Sequence, residues 1–314
     1  MAILARLAQW KERGIISPDQ HLFLDGLVRG EPFSVFLELN VMLYAGVVAF
    51  VGGLGWTVST WSQRFGDLAL LALLTALCGA SLWYCFSRAA AWTRNEAASP
   101  NLVFDYVLYF GCLVWSVELA WIEGRFELLG RQSDLYLLLT AGLYFFLAYR
   151  FDNRFVLSLA LSSLAGWFGL ALSRGMAFQT PTYRQYGILF ALLAGGAGAA
   201  LARAGVKPHF LGTYTNLAAN VLLLALLSGV FERENSGWWL LALLAACGAC
   251  LAWGLARRQF AFVAYAAVYG YFGVSAVLLR DARDLVAILA YFLVTGIAMV
   301  VVLIVVARRF GREK

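Results

Sequence analysis

Apolar runs of about 20 residues, the length a helix needs to cross roughly 30 Å of hydrocarbon, recur from Val35 to the C-terminal tail. A chain that must satisfy its backbone polar groups inside lipid has two solutions, helices and closed barrels, and the weak alternating pattern of a barrel strand is absent. The expected fold class is therefore all-α, a polytopic transmembrane helix bundle. Only 13% of the residues are charged, where a soluble domain has about a quarter. The runs place about ten spans, near 35–58, 66–86, 101–121, 134–149, 154–172, 184–202, 209–231, 236–255, 259–279 and 284–307. The domain boundaries read as a prefix over 1–33, a bundle over 34–308 and a basic tail over 309–314.

Orientation follows from the basic residues. Sixteen of the 24 Lys and Arg fall on the side expected to carry both termini, and eight fall opposite. An excess of that kind marks the cytoplasmic face. With no cleavable signal pattern at the start, the expected location is the inner membrane, multi-pass, with both termini cytoplasmic. The net charge of +6 then reflects topology and attraction to anionic lipid heads. Membrane lipids are the expected surroundings and partners.

The prefix has its own punctuation. Residues 4–13 read as a short amphipathic helix stopped by Gly14. A second helix is introduced by Ser17 as N-cap, Pro18 at the first helical position and Gln20 where a capping box needs it. Two helices of this size cannot bury enough apolar surface alone, so Trp10, Ile15, Ile16 and Leu22 are expected to dock on the protein's own loops or on a protein partner. Nucleic acid is not expected, because Arg6, Lys11, Arg13 and Arg29 are matched by Glu12, Asp19, Asp25 and Glu31, leaving no basic face for phosphates.

The pattern W-x-x-x-G-I-I-S-x-x-Q at Trp10 to Gln20, followed by "LYAGVVAFVGGLGWTVSTW", resembles an uncharacterised bacterial multi-pass membrane-protein family, a domain of unknown function whose members start with G-(L/I)-I-S-x-x-Q. The resemblance implies a bacterial inner-membrane protein. It carries over no activity and no site residues.

Internal repetition is suggested by residues 147–169 and 251–273, which match at both ends with an offset of 104, and by the endings Tyr109-Phe110-Gly111, Trp167-Phe168-Gly169 and Tyr271-Phe272-Gly273. Repeated helical hairpins would produce this, and so would chance in a sequence rich in aromatic residues and Gly. Gly-rich "VGGLG" at 51–55 and "AGGAGAA" at 194–200 read equally as helix breaks or as close-packing surfaces.

Chemistry-bearing residues are few. There is no H-E-x-x-H and no G-x-S-x-G, Ser162 and Ser163 lack an evident base, and neither His21 nor His209 stands at metal-ligand spacing. No catalytic residue, cofactor or metal site is assigned, and a non-enzymatic protein is expected. Cys247 and Cys250 form a C-x-x-C inside a span, where small-residue packing is the expected use. Glu38, Asp105 and Glu118 are intramembrane acids, read either as functional groups or as shallow anchors held by nearby Arg. The best polar stripe is Thr213, Asn216 and Asn220, at i, i+3, i+7 and so on one helix face, with Ser158 and Ser162, and Tyr265 and Tyr269, as similar pairs. These residues line a polar cavity or hold helices together by hydrogen bonds. The expected function is the binding or movement of a lipid-like or small solute. The alternative is a structural or regulatory subunit that docks a partner through its N-terminal helices.

Overall fold

The computed structural model describes residues 66–312, apart from 98, 128–129, 131–133, 176–179 and 233–234; ahead of these it describes Trp10 and isolated residues between 46 and 57. The described residues contain helices and connecting turns and no strand. From residue 66 on, the described residues form nine α-helices: α1 (Asp67–Arg88), α2 (Leu102–Phe126), α3 (Leu135–Phe151), α4 (Arg154–Gly175), α5 (Thr180–Arg203), α6 (Leu211–Val230), α7 (Ser236–Ala256), α8 (Phe260–Leu278) and α9 (Leu285–Arg312). Eight are long and apolar enough to cross a membrane, and α3 is a shorter apolar helix. The architecture is that of a helical membrane protein. Most of the expected first span and the two-helix prefix with its Ser17 cap, Trp10 excepted, lie outside the described residues; of the 51–55 glycines, Gly52 and Gly53 are described and helical, and Gly55 is outside them.

The helices pack as consecutive hairpins, α1 with α2, α3 with α4, α5 with α6 and α7 with α8. All four turns share one end of the bundle, called here the basic end because Arg88, Arg94, Arg150, Arg154, Arg203, Arg257 and Arg258 lie in or beside them. Contacts between turns fix this arrangement: Arg154 pairs with Glu96 at 2.6 Å, and the Lys207 amide donates to the Arg94 carbonyl at 2.9 Å. At the opposite end Arg184 pairs with Glu232, while Arg280 donates to Ser236 at 2.6 Å and to the Val230 carbonyl at 2.7 Å. Arg184 also lies over the Trp239 ring at 4.2 Å, where the electron-rich ring face offsets part of the cost of burying a guanidinium.

Small residues let the hairpin helices approach. A Cβ on Gly198 of α5 would stand 2.5 Å from the Tyr214 Cβ in α6, and one on Gly273 of α8 would stand 2.4 Å from Leu243 of α7. In lipid there is little hydrophobic drive between helices, so such close contact supplies the dispersion energy that holds them. The "AGGAGAA" stretch therefore works as a packing face, and α5 runs through it unbroken. Residues 147–169 and 251–273 occupy equivalent places, the end of one hairpin helix, the turn, and most of the next. The three aromatic-Phe-Gly endings lie in α2, α4 and α8.

Beyond the hairpins, α6, α7 and α8 share an apolar core of Leu223, Leu226, Val230, Leu243, Cys247 and Ala266. Cys247 and Cys250 are free thiols, the first buried in this core. The last helix is different. None of its spanning window is buried within the protein, and it is tied to α8 by hydroxyl pairs, Tyr271 with Thr295 at 2.7 Å and Ser275 with Tyr291 at 3.0 Å. A helix apolar all round is at home in hydrocarbon.

Candidate functional site

Helices α6 and α8 both leave the basic end, so they run parallel and residues equally far from their starts lie at equal depth. Asn216 and Asn220 are the sixth and tenth residues of α6, and Tyr265 and Tyr269 hold the same places in α8. Spacing of four on each helix puts each pair on one face. The result is a two-rung ladder: Tyr265 donates to Asn216 Oδ1 at 3.1 Å, and Tyr269 donates to Asn220 Oδ1 at 3.3 Å. Each asparagine is oriented from behind, because its Nδ2 donates to a carbonyl one turn back, that of Gly212 at 2.7 Å or of Asn216 at 2.9 Å. With the amide nitrogens held on α6, the oxygens face the tyrosines.

The upper rung borders an open space. A cavity of about 430 Å³ lies at the basic end, lined by Asn216 of α6, by Arg258 to Phe262 at the start of α8, and by Ala307 and Phe310 of α9. Its volume is in the range that holds small-molecule ligands. An asparagine side chain offers two donors and two acceptor lone pairs; the bonds described use one of each on Asn216, leaving an N–H and a lone pair beside the cavity. Arg258 is held at φ +53°, a left-handed conformation that costs a residue with a Cβ roughly 1–2 kcal/mol.

The other residues singled out from sequence are placed differently. Thr213 is half-buried on α6 and lines neither rung nor cavity. Ser158 donates to the Phe155 carbonyl of its own helix at 2.7 Å, and Ser162 is exposed. The two acids of α2, read from sequence either as functional groups or as anchors held by Arg, accept from neutral groups. Asp105 accepts from Ser99 at 2.9 Å and from Asn153 at 3.0 Å, and Glu118, 7% exposed, accepts from Thr75 of α1. These partners come from the loop before α2, from the α3–α4 turn and from α1. Trp10 is helical and 44% exposed; Ile15, Ile16, Leu22 and Glu38 lie outside the described residues.

A second polar cluster was missed from the sequence. Asp152 ends α3 at φ +59°, and Asn153 begins α4 by accepting the Phe155 and Val156 amides, each at 3.0 Å. Asn153 Nδ2 donates to Asp105 and to the Tyr109 hydroxyl, both at 3.0 Å, so every hydrogen-bonding site on this buried amide is used. Next to it the Asp152 carboxylate takes the Lys207 ammonium at 2.9 Å, His209 Nε2 at 2.5 Å and the Ala97 amide at 2.5 Å. The Lys207 and Asp152 side chains are 1% and 2% exposed. Lys207 also donates to the Asn95 carbonyl at 3.3 Å. This cluster binds the 89–101 loop and two hairpin turns into one plug. From sequence, Lys207 counted only among the 16 basic residues of the terminal side and His209 stood at no metal-ligand spacing; their partner lies more than 50 residues away. The Asp-Asn pair between two apolar runs was the available signal, since both residues are favoured at helix ends.

Among the described residues no group of three His, Cys, Asp or Glu is placed to hold a metal ion. No family model matches the chain, and comparison with curated proteins and with solved structures gave no match.

Proposed function

We propose that this protein is a bacterial inner-membrane protein that binds, or permits the movement of, a lipid-like or small solute without transforming it, and that both termini are cytoplasmic. The observation that carries the reading is the 430 Å³ cavity between α6, α8 and α9, with the spare hydrogen-bonding capacity of Asn216 beside the aromatic walls of Phe260, Phe262 and Phe310. Polar groups that fix orientation, set in a mainly apolar lining, are the usual composition of a ligand site. The Asn–Tyr ladder supports it by holding α6 and α8 at a set separation behind the cavity. The basic asymmetry supports the orientation.

Filling the space tests the reading. A photoactivatable amphiphile in proteoliposomes should label residues 258–262 and 307–310, and Ala307→Trp should remove that labelling while the protein stays folded. Labelling spread evenly over the apolar surface, unchanged by Ala307→Trp, would sink the proposal.

A further inference from the structure

We propose that Glu118 is a proton-binding site inside the membrane, with the Thr75 hydroxyl as the switch that serves both its charged and its neutral form. The site belongs to the α1–α2 hairpin, apart from the cavity between α6, α8 and α9, and does not rest on the reading of that cavity. Glu118 is the seventeenth of the 25 residues of α2, four residues or about 6 Å from the helix middle at 1.5 Å per residue. The nearest cation along its helix, Arg125, is about 10 Å away and is paired with Asp67 at 2.5 Å. Among the described residues the one hydrogen-bond partner of the carboxyl is Thr75. A carboxylate held in hydrocarbon by a single hydroxyl is costly, and an ionisable group at this depth marks a functional site by default.

Counting hydrogens shows what Thr75 does. Its Oγ1 lies 2.9 Å from the Leu71 carbonyl, four residues back on α1, and within bonding distance of Glu118 Oε1. A hydroxyl has one proton to donate and lone pairs with which to accept, so it cannot donate to both oxygens, and a carbonyl has no proton to give. When Glu118 is ionised, Thr75 donates to it and releases the Leu71 oxygen, which keeps its helical N–H bond. When Glu118 is protonated, the acid donates to Thr75 and the hydroxyl turns to Leu71, the back-bond open to a helical threonine. Either form is hydrogen-bonded, and the change needs a rotation of one hydroxyl with no heavy atom moved. The neighbours leave this exchange to the two residues. Cys78, the titratable group facing Glu118 from α1, gives its thiol to the Gly111 carbonyl at 3.7 Å. Tyr144 of α3 is engaged with Ser116 and with the Cys112 carbonyl. The helices are held close where a Cβ on Gly111 would stand 3.0 Å from that of Ser81, which sets the separation across which Thr75 and Glu118 meet.

The test is an infrared pH titration of the full-length protein in lipid, reading the C=O band of protonated carboxyls in the wild type against Glu118→Gln. The wild type should show a band that is lost as pH rises and that Glu118→Gln lacks. Thr75→Ser keeps the hydroxyl and should leave the titration in place. Thr75→Val removes a charge-assisted bond from the ionised form and a weaker neutral one from the acid form, so the loss should move up by roughly one pH unit. Spectra of the wild type and Glu118→Gln that agree at every pH overturn the proposal. So does a Glu118 band that persists unchanged through the titration, which would make the residue a fixed structural acid. A titration that sodium ions move to lower pH at constant ionic strength would make this a metal-cation site and also overturn the assignment. If Glu118→Gln does not fold, Thr75→Val carries the test alone, and a titration that it leaves unmoved overturns the proposal.

Discussion

Asparagine in a spanning helix is costly to leave unpaired, because an amide in hydrocarbon without partners loses several kcal/mol. Asn216 and Asn220 avoid this by two devices, one intrahelical and one between helices. The intrahelical bond survives any change in the partner helix, so the rung itself should contribute about 0.6 kcal/mol. Asn220→Leu, Tyr269→Phe and the double variant, compared by thermal unfolding in lipid, should give a coupling energy of that size. A coupling near zero would mean that the lower rung contributes no net stability. Asp152, Lys207 and Arg258 show a different economy at the same scale. Each takes a left-handed backbone conformation in a hairpin turn, and each uses its side chain for an ion pair or a cavity wall that Gly could not supply.

At the scale of elements, the hairpins differ in what closes them. The α3–α4 turn is closed by Asp152 and Asn153, and α5–α6 by Lys207 and a short 3₁₀ turn, Pro208–Phe210. These two turns and the 89–101 loop are held by one buried ion pair. Taking two charges out of water costs several kcal/mol each, and mutual attraction offsets that cost only while both remain. Asp152→Asn should therefore destabilise by roughly 3–5 kcal/mol, since it strands the Lys207 ammonium. Combined with Lys207→Met, the loss should be smaller than for Asp152→Asn alone. Denaturation monitored by tryptophan fluorescence would check both, and a double variant worse than the single one would show that the pair is not the source. The α7–α8 turn instead opens on the cavity, through Arg258 and Gln259.

For the whole molecule, hairpins that all turn at one end mean that residues on the 89–101 loop and at the end of α9 share a face. Reporter fusions after Arg94 and after Lys314 should read as cytoplasmic, and one after Arg131 as external. A fusion at Lys314 reading external would overturn the assigned orientation. The unburied face of α9 has meaning only at this scale. Leu289, Leu293 and Ile297 are exposed, which in water would be a liability and in lipid is the ordinary surface of a spanning helix. Two hydroxyl pairs with α8 hold the helix where packing area is small.

Helix existence, and the ends of most helices to within a few residues, were legible in the sequence because hydrocarbon imposes a length and forbids unpaired backbone. The polar stripe on α6 and its tyrosine counterpart on α8 were legible too, since i, i+4 spacing states which residues share a face. That those two faces meet was not, because the spacing within one helix carries no information about which neighbour it will face. The same limit hid the Asp152, Lys207 and His209 cluster, whose members come from two turns, and the partners of Asp105 and Glu118, which are Ser99, Asn153 and Thr75. The cavity is the extreme case. It is a space left between three helices, one of them joined to α8 by two hydrogen-bonded pairs and two aromatic contacts, and a gap has no residue of its own to announce it. Local chemistry determined what each segment is, and tertiary packing decided which side chains are buried together, because contact depends on distance in space and the chain specifies that only once it has folded.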